Sequence, residues 1–273
     1  METALYVLVL VSLALIVAQV TASRRHRAFV LDLARRLRDS APTLDVEATL
    51  PPIVADFARR NGANLDGMPR VASFHQTGEL RIRKGGAFRS FLAWQVVALG
   101  RAGFLWEARQ TGASPVWVRV LDAYIGAEGW LEVWLFGTIP LKKAEGDAVS
   151  LGEAYRYLAE LPWAPDAILG NPDLAWRVTG PDAAEVRMTV QEGVARVRFG
   201  FDAAGDIVTM EAEGRPALDE DGRTVNRDWR GRYDDYAWIG GRRVPQSGEV
   251  GYVYTSGYEA YFRGRISDYE ISS

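Results

Sequence analysis

The chain has 273 residues, 48% of them hydrophobic, which is enough for a large buried core and argues against disorder. A net charge of -3 offers no basic field for binding nucleic acid. Cysteine is absent and histidine occurs twice, so disulfides, thiolate chemistry and cysteine-rich or histidine-rich metal sites are excluded. We therefore expect neither a metal nor a cofactor.

The N-terminal segment is an uncharged apolar run over residues 4–22, which as a helix spans roughly 28 Å at about 1.5 Å per residue. This length predicts a single-pass membrane anchor. A signal sequence cleaved near Ala22 is the alternative, because small residues lie there, and the domain would then be exported. Arginines follow the run at 24–27 and no Lys or Arg precedes it, so the positive-inside rule favours an uncleaved anchor with the domain in the cytoplasm.

The sequence divides into three parts: a transmembrane anchor at 1–23, a juxtamembrane helix and connector at 24–69, and a single β-rich globular domain at 70–273. In the middle part, apolar residues at helical spacing predict a helix over 28–38. A second, short helix is predicted over 53–60, between Pro51-Pro52 and Asn61-Gly62.

From Phe74 onward, polar and apolar residues alternate, which predicts β-strands. The strands are predicted at 79–83, 88–98, 103–109, 116–124 and 130–140, and then at 175–179, 183–190, 194–201, 206–213, 233–239, 242–254 and 258–271. Short sequential strands with tight turns favour antiparallel pairing, because parallel neighbours need crossover helices. We expect a mainly β (α+β) fold: a strongly curved antiparallel sheet of about eleven or twelve strands, wrapped on a central helix.

The central helix is predicted at 151–161, where the alternation stops and apolar residues share one helical face. Ser150 is its predicted N-cap, with Glu153 as the capping-box partner. Glu160 lies four residues after Arg156, so an ion pair along the helix explains it better than an acid–base role shared with Glu153.

Aromatic residues are abundant, and nine tryptophans are distributed over the predicted strands and the helical region. Most are expected in the core, but a curved sheet on one helix can leave an aromatic-lined cavity, which is the usual form of a ligand site. The candidate ligand-binding residues are Trp94, Trp106, Trp134, Tyr155, Arg156, Glu160, Trp163, Arg215 and Tyr236.

Five motifs occur in a fixed order: QTGELR at 76–81, FLWEA at 104–108, RYLAELPWAP at 156–165, DY at 235–236, and VP at 244–245 followed by EV at 249–250. Together they resemble the uncharacterised bacterial family DUF6544 (formerly DUF6920), over about residues 70 to 270. The resemblance implies a bacterial protein, hence an inner-membrane location for the anchor, but brings no established activity.

The order of strands, helix and strands also resembles the LolA and LolB lipoprotein carriers, whose curved sheet holds acyl chains over helices. This second resemblance concerns topology alone and implies a lipid or another apolar ligand. It disagrees with the cytoplasmic location that the arginines favour, since those carriers work outside the cytoplasm.

We expect a membrane-anchored, non-enzymatic binding module for a lipid or other apolar small molecule, attached to the membrane through residues 4–22. One alternative is a hydrolase-like enzyme with a polar site of Arg156, Glu160, Arg215 and Tyr236 at the cavity mouth. The other is a structural envelope protein, which predicts a filled interior.

Overall fold

The computed structural model describes residues 2–40, 50–67, 69–191, 193–219 and 221–273. These residues form four α-helices and thirteen β-strands. The helices are α1 (Glu2–Asp39), α2 (Pro52–Arg60), α3 (Asp147–Ala159) and α4 (Pro165–Gly170), with a 3-10 turn at Leu161–Trp163. The strands are β1 (Val71–Leu80), β2 (Arg89–Ala98), β3 (Phe104–Gln110), β4 (Val118–Ile125), β5 (Glu128–Leu135), β6 (Ile139–Glu145), β7 (Ala175–Gly180), β8 (Ala183–Val190), β9 (Gly193–Phe201), β10 (Ile207–Leu218), β11 (Thr224–Ile239), β12 (Arg242–Tyr254) and β13 (Gly257–Ser272).

The strands form one antiparallel sheet in the order β6-β5-β4-β3-β2-β1-β13-β12-β11-β10-β9-β8-β7. Strands adjacent in sequence pair with each other within β1–β6 and within β7–β13, so two meanders meet where β1 pairs with β13. The helical segment from α3 to α4 connects β6 to β7, the two outermost strands, and it therefore crosses one face of the curved sheet. The predicted fold class is confirmed: a curved antiparallel sheet wrapped on a central helix.

The central strands of the first meander are covered on both faces, and their side chains alternate between the two faces along each strand. In β3, Phe104, Trp106 and Ala108 belong to the main core on the inner, concave face that carries α3. Leu105, between them, packs on the outer face in a second cluster with Leu37 of α1. The alternation thus assigns neighbouring residues of one strand to two different environments.

Helix α1 has two halves with different surroundings. Side chains of residues 3–18 are exposed, and this half supplies a stretch that is long and apolar enough to cross a membrane or to act as a signal sequence. The second half packs its apolar face on the outer face of the first meander through Val30, Leu33 and Leu37. The predicted helix at 28–38 is therefore part of one continuous helix.

The path of the docked half of α1 across the sheet follows from contacts at its two ends. Gln19 Nε2 donates a hydrogen bond to the carbonyl of Phe136, in the turn between β5 and β6, at 2.7 Å. The carbonyl of Arg38 accepts one from Arg70 Nη1, just before β1, at 3.3 Å. The docked half thus runs diagonally from one end of the strands to the other, and residues 3–18 extend past the β5–β6 turn.

The two ends of the sheet are covered differently. We call the end with turns 81–88, 111–117, 136–138 and 255–256 the open end, and the end with turns 99–103, 202–206 and 240–241 the covered end. Helix α2 packs over the covered end, where Phe57 is fully buried against Phe201 and Tyr236.

Ion pairs reinforce the covered end. The buried carboxylate of Asp166, in α4, accepts two hydrogen bonds from the guanidinium of Arg242, both at 2.8 Å. The carboxylate of Asp206 accepts two from Arg243, at 2.6 and 2.7 Å. Arg243 also donates to Asn61 Oδ1 after α2 at 3.0 Å, so helix and strand are joined.

The predicted strand at 130–140 was wrong, because it is two strands. Phe136 (φ 53°) and Gly137 (φ 66°) both adopt left-handed backbone conformations and make a tight turn. The turn separates β5 from β6, adds an outermost strand and raises the count to thirteen. The first strand also lies earlier than the predicted 79–83, at Val71–Leu80.

The predicted capping box of the central helix was also wrong. Helix α3 begins at Asp147 after Gly146, earlier than predicted, so Ser150 lies inside it. Ser150 Oγ accepts a hydrogen bond from the backbone N–H of Gly129 at 3.0 Å. A Cβ on Gly129 would lie 2.8 Å from the Cα of Ser150, so glycine permits this close approach of β5 to α3.

Candidate functional site

A cavity of about 930 Å³ lies between the inner face of the sheet and α3. Its wall is partly aliphatic and aromatic, with Trp106, Trp163, Trp229, Tyr252 and Phe262 among the lining residues. Residues 81–84 and Thr255, in two turns of the open end, also line it. The cavity therefore reaches the surface at the open end, whereas α2 and α4 pack over the covered end.

The centre of the cavity wall holds a buried ion-pair network around Arg156 of α3. Its Nε donates to Glu160 Oε1 at 2.8 Å, which is the ion pair predicted along the helix, and its Nη1 donates to Asp122 Oδ2 of β4. The guanidinium also lies over the rings of Phe104 and Trp106, at 4.6 and 5.1 Å from their centroids. Helix and sheet are thus joined by charge-assisted hydrogen bonds and by cation–π contacts.

A relay of neutral side chains completes the hydrogen bonding of Glu160. Gln95 Nε2 donates to Glu160 Oε2, and Gln76 Nε2 donates to Gln95 Oε1 at 3.1 Å. The indole of Trp106 donates in turn to Gln76 Oε1 at 2.7 Å. Both oxygens of the buried Glu160 carboxylate are therefore satisfied, and its geometry is fixed from three strands.

Arg215 of β10 forms the other cationic part of the wall. Its Nη2 and Nε donate to the carbonyl of Gly152 at 3.0 and 3.2 Å, and its Nη1 donates to the hydroxyl of Tyr252. The guanidinium lies 4.5 Å from the ring centroid of Trp229. A Cβ on Gly152 would lie 3.2 Å from the carbonyl oxygen of Pro216, so the small residue lets α3 approach β10 closely.

Burial shifts the pKa values of the three buried carboxyl groups in this wall, which belong to Asp122, Glu153 and Glu160. Desolvation, and secondly the nearby charge of Asp122, raise the pKa of Glu153 to about 8 from its usual 4.5. Desolvation also raises the pKa of Asp122 and of Glu160, and the opposing charge of Arg156 limits both shifts. Glu153 is therefore mostly protonated at neutral pH, which reduces the surplus of negative charge beside the two arginines.

Two buried carboxyl oxygens of the wall have no hydrogen-bond partner within the described part of the chain. They are Asp122 Oδ1 and Glu153 Oε2, and both residues line the cavity. An unpartnered buried oxygen is costly, and protonation of Glu153 lowers that cost because it removes the charge of the carboxyl group.

Five of the nine predicted site residues line this cavity: Trp106, Arg156, Glu160, Trp163 and Arg215. Four lie elsewhere. Trp94 and Trp134 pack on the outer face with the α1 cluster, and the ring of Trp134 lies 4.4 Å from that of His26. Tyr155 is buried in the core beside Arg196 of β9, and Tyr236 donates to the carbonyl of Ile207 at 2.7 Å near the covered end.

The site predicted from the sequence did not include Gln76, Gln95, Asp122 or Tyr252, and Glu153 was assigned to a cap. The strand pattern contained a signal for two of them. Gln95 follows Phe91 and Ala93 in the same alternation phase, and Asp122 lies between Val120 and Tyr124, so each polar side chain occupies a position of the apolar face. A polar residue in the apolar phase of a strand indicates a buried network.

Metal binding has no candidate in this wall: among the residues described, no group of three or more His, Asp or Glu side chains has the arrangement of a metal site. Asp219 lies in the turn between β10 and β11, and its Oδ1 accepts hydrogen bonds from the backbone N–H groups of Asp221 and Arg223 at 3.0 and 2.8 Å.

The chain belongs to the family of unknown function DUF6544, whose model matches residues 41–264. This agrees with the resemblance of its motifs. Among curated proteins, none matches the chain.

Several solved structures are similar in layout. A LolA superfamily protein from Nitrosomonas europaea is 11% identical, with 83% of this chain and 95% of that chain covered and a TM-score of 0.43. A putative outer membrane lipoprotein-sorting protein domain from Vibrio parahaemolyticus is 9% identical, with 81% and 91% covered and a TM-score of 0.42. A DUF1329 family protein from Desulfovibrio piger is 12% identical, with 80% and 92% covered and a TM-score of 0.40.

Proposed function

We propose that this protein is a membrane-anchored, non-enzymatic binding module that holds a lipid or another apolar molecule between the inner face of its sheet and α3. One observation carries the proposal: the cavity of about 930 Å³, with a wall that is partly aromatic and aliphatic, opens at one end of the sheet. Ligand sites in proteins commonly have volumes of about 300–1,000 Å³ and largely apolar walls. A long acyl chain or a compact polycyclic molecule fits this description.

Helix α1 is the anchor in this proposal. The exposed arginines that follow its apolar half, at 24, 25 and 27, support a cytoplasmic domain at a bacterial inner membrane. We keep the division predicted from the sequence, with an anchor at 1–23, a connector at 24–69 and a domain at 70–273, but change one boundary. Gln19 contacts the domain, so the part of α1 within the bilayer ends near residue 18.

The two alternatives have less support. The hydrolase-like site required Tyr236 beside Arg156 and Glu160, but Tyr236 is bonded to Ile207 away from the cavity. Glu160 is held by both Arg156 and Gln95, which suits a structural carboxylate better than a general acid or base. A structural protein without a ligand predicted a filled interior, and a cavity of this size favours a binding role.

Photocrosslinking tests the proposal on the full chain in membranes. Palmitic acid with a diazirine on its chain should crosslink to peptides of α3, β3 and β12, because their side chains line the cavity. Crosslinks confined to residues 3–18 would contradict the proposal, since those residues face lipid in any case.

A matched pair of variants makes this experiment specific. Ala217→Trp introduces an indole into the cavity wall near the open end and should reduce crosslinking to α3 strongly. Val178→Trp places the same side chain at an exposed position of β7 outside the cavity and should leave crosslinking unchanged. Equal crosslinking in the two variants would show that the probe binds elsewhere.

A further inference from the structure

We propose that the open end of the sheet is a membrane-contact surface that rests on an anionic bilayer, so that the cavity exchanges its ligand directly with the lipid. The surface consists of the exposed apolar and basic residues Ile82, Arg83, Lys84, Val116, Ile139, Leu141 and Lys142. This inference rests on the proposed anchoring of α1. It adds the position of the domain relative to the bilayer and the route by which a ligand passes between the bilayer and the cavity.

The course of α1 brings the open end to the bilayer. Residues 3–18 leave the domain at the β5–β6 turn, where Gln19 donates to the carbonyl of Phe136 and its Oε1 accepts from Thr138 Oγ1 at 3.1 Å. Sixteen helical residues extend about 24 Å, which is shorter than the roughly 30 Å hydrocarbon thickness of a bilayer, so no part of this segment is left over as a spacer between bilayer and domain. With no linker between helix and domain, the turn at 136–138 must lie at the membrane surface.

Apolar side chains are exposed at the three turns of the first meander on this end. Ile82 is 70% exposed, Val116 and Ile139 are each 52% exposed, and Leu141 is 55% exposed. Trp117 and Phe136 lie beside them in edge-to-face contact, at 6.3 Å between ring centroids. Aromatic side chains of this kind are enriched where a protein meets the membrane–water interface.

Cations accompany these apolar residues on the same side of the mouth. Within the described ranges, no carboxylate forms an ion pair with Arg83 or Lys142, which both line the cavity. Lys84 lies 4.5 Å from the ring centroid of Tyr254. Acidic groups at the mouth are Asp219 and Asp221 of the second meander, whereas Glu249 and Glu259 are paired with arginines.

Arg227 of β11 also lines the mouth, 4.8 Å from the ring centroid of Tyr254, so cations lie on both sides of it. The exposed cations Arg83, Lys84 and Lys142 belong to the meander on which α1 docks, and this is the side nearest the membrane. Phospholipid headgroups with negative charge match a surface of exposed apolar residues and free cations. An amphiphile could leave the bilayer along this side and enter between β1, β6 and α3 without crossing water.

Single-cysteine labelling tests the inference directly, because the chain has no cysteine. We would introduce Ile82→Cys, Val116→Cys or Ile139→Cys and attach an environment-sensitive fluorophore to the full chain in vesicles of phosphatidylcholine and phosphatidylglycerol. Trp238→Cys is the matched control, since Trp238 is 62% exposed and lies at the covered end.

The expected result is a shift of emission to shorter wavelengths and strong quenching by spin-labelled lipid at the three open-end positions, with neither change at position 238. Quenching should weaken in vesicles of phosphatidylcholine alone. Absence of quenching at the open end, or equal quenching at position 238, would overturn the membrane contact, and equal quenching in both lipids would overturn its anionic preference. Crosslinking of α3 in the same variants reports ligand binding separately, so failure of one proposal is distinguishable from failure of the other.

Discussion

The covered end and the open end of the sheet are formed by the same strands, but they are completed in opposite ways. At the covered end, α2 and α4 bury Phe57 and the carboxylate of Asp166, and arginines of β12 pair with the acids. At the open end, apolar residues such as Ile139 are exposed and Arg83 has no acidic partner among the described residues. The buried aromatic packing and the buried ion pairs described here thus lie at the covered end, whereas the cavity opens at the other end.

The largest difference is expected from truncating a buried side chain at the covered end. Phe57→Ala should lower the free energy of unfolding by about 3–5 kcal/mol, because it leaves a cavity among α2, Phe201 and Tyr236. Urea unfolding of the detergent-solubilised protein, followed by tryptophan fluorescence, measures this. Ile139→Ala at the open end is the control, and a similar loss in both variants would remove the contrast between the ends.

The buried ion pair gives the next largest effect. Among the described residues, Arg242→Ala leaves the fully buried Asp166 with only the backbone N–H of Asn64 as a donor, at 2.9 Å, and should cost about 3 kcal/mol. Lys142→Ala at the open end should change stability by less than about 0.5 kcal/mol. If both changes are small in the same unfolding experiment, the covered end is not the stabilising part.

Glu153, between the two ends, should make stability depend on pH. Its folded-state pKa of about 8 exceeds the usual 4.5, so between these values the folded chain holds a proton that the unfolded chain releases. Stability therefore falls as pH rises through this window, by at most about 1.4 kcal/mol per pH unit from this group.

Replacing this carboxyl group isolates its contribution. Glu153→Gln should match the wild type near pH 4 and be more stable than it at pH 8, as urea unfolding at both values can measure. Glu128→Gln, at an exposed position, should leave the pH dependence of the wild type unchanged. A wild type and a Glu153→Gln variant with parallel pH profiles would show that Glu153 ionises freely in the folded state.

The smallest effect is expected for an ion pair at the open end. Arg81 Nη1 lies 2.7 Å from Glu259 Oε1, a distance similar to that in the Asp166 pair, but both side chains are partly exposed. Arg81→Ala should therefore cost less than about 1 kcal/mol, since water screens the pair. A loss as large as that of Arg242→Ala would mean that burial does not distinguish the two pairs.

Much of the fold could be predicted because hydrophobic periodicity reports it directly. The alternation located most strands, including those on either side of Gly240-Gly241, where both glycines have positive φ and form the hairpin between β11 and β12. The turn at Phe136 escaped detection, because phenylalanine is not a residue that normally signals a left-handed conformation. The split into β5 and β6 depends on the backbone conformation at Phe136, which the residue types in this segment do not predict.

The site could be predicted only in part, because alternation says which residues share a face but not which face lines a cavity. Trp94 and Trp106 are both aromatic strand residues, yet the first packs with the α1 cluster and the second lines the cavity. Tyr236 was predicted to belong to the site, but its ring packs against Phe57 of α2 at the covered end. Such assignments depend on how the sheet curves and on where α1 docks.

Crystallography with a brominated fatty acid tests the central claim, that the cavity binds an apolar molecule, most directly. We expect an anomalous bromine peak between α3 and the inner face of the sheet, near Trp106 and Tyr252. A structure in which bromine is found only along residues 3–18, with the cavity unoccupied at saturating ligand, would contradict it.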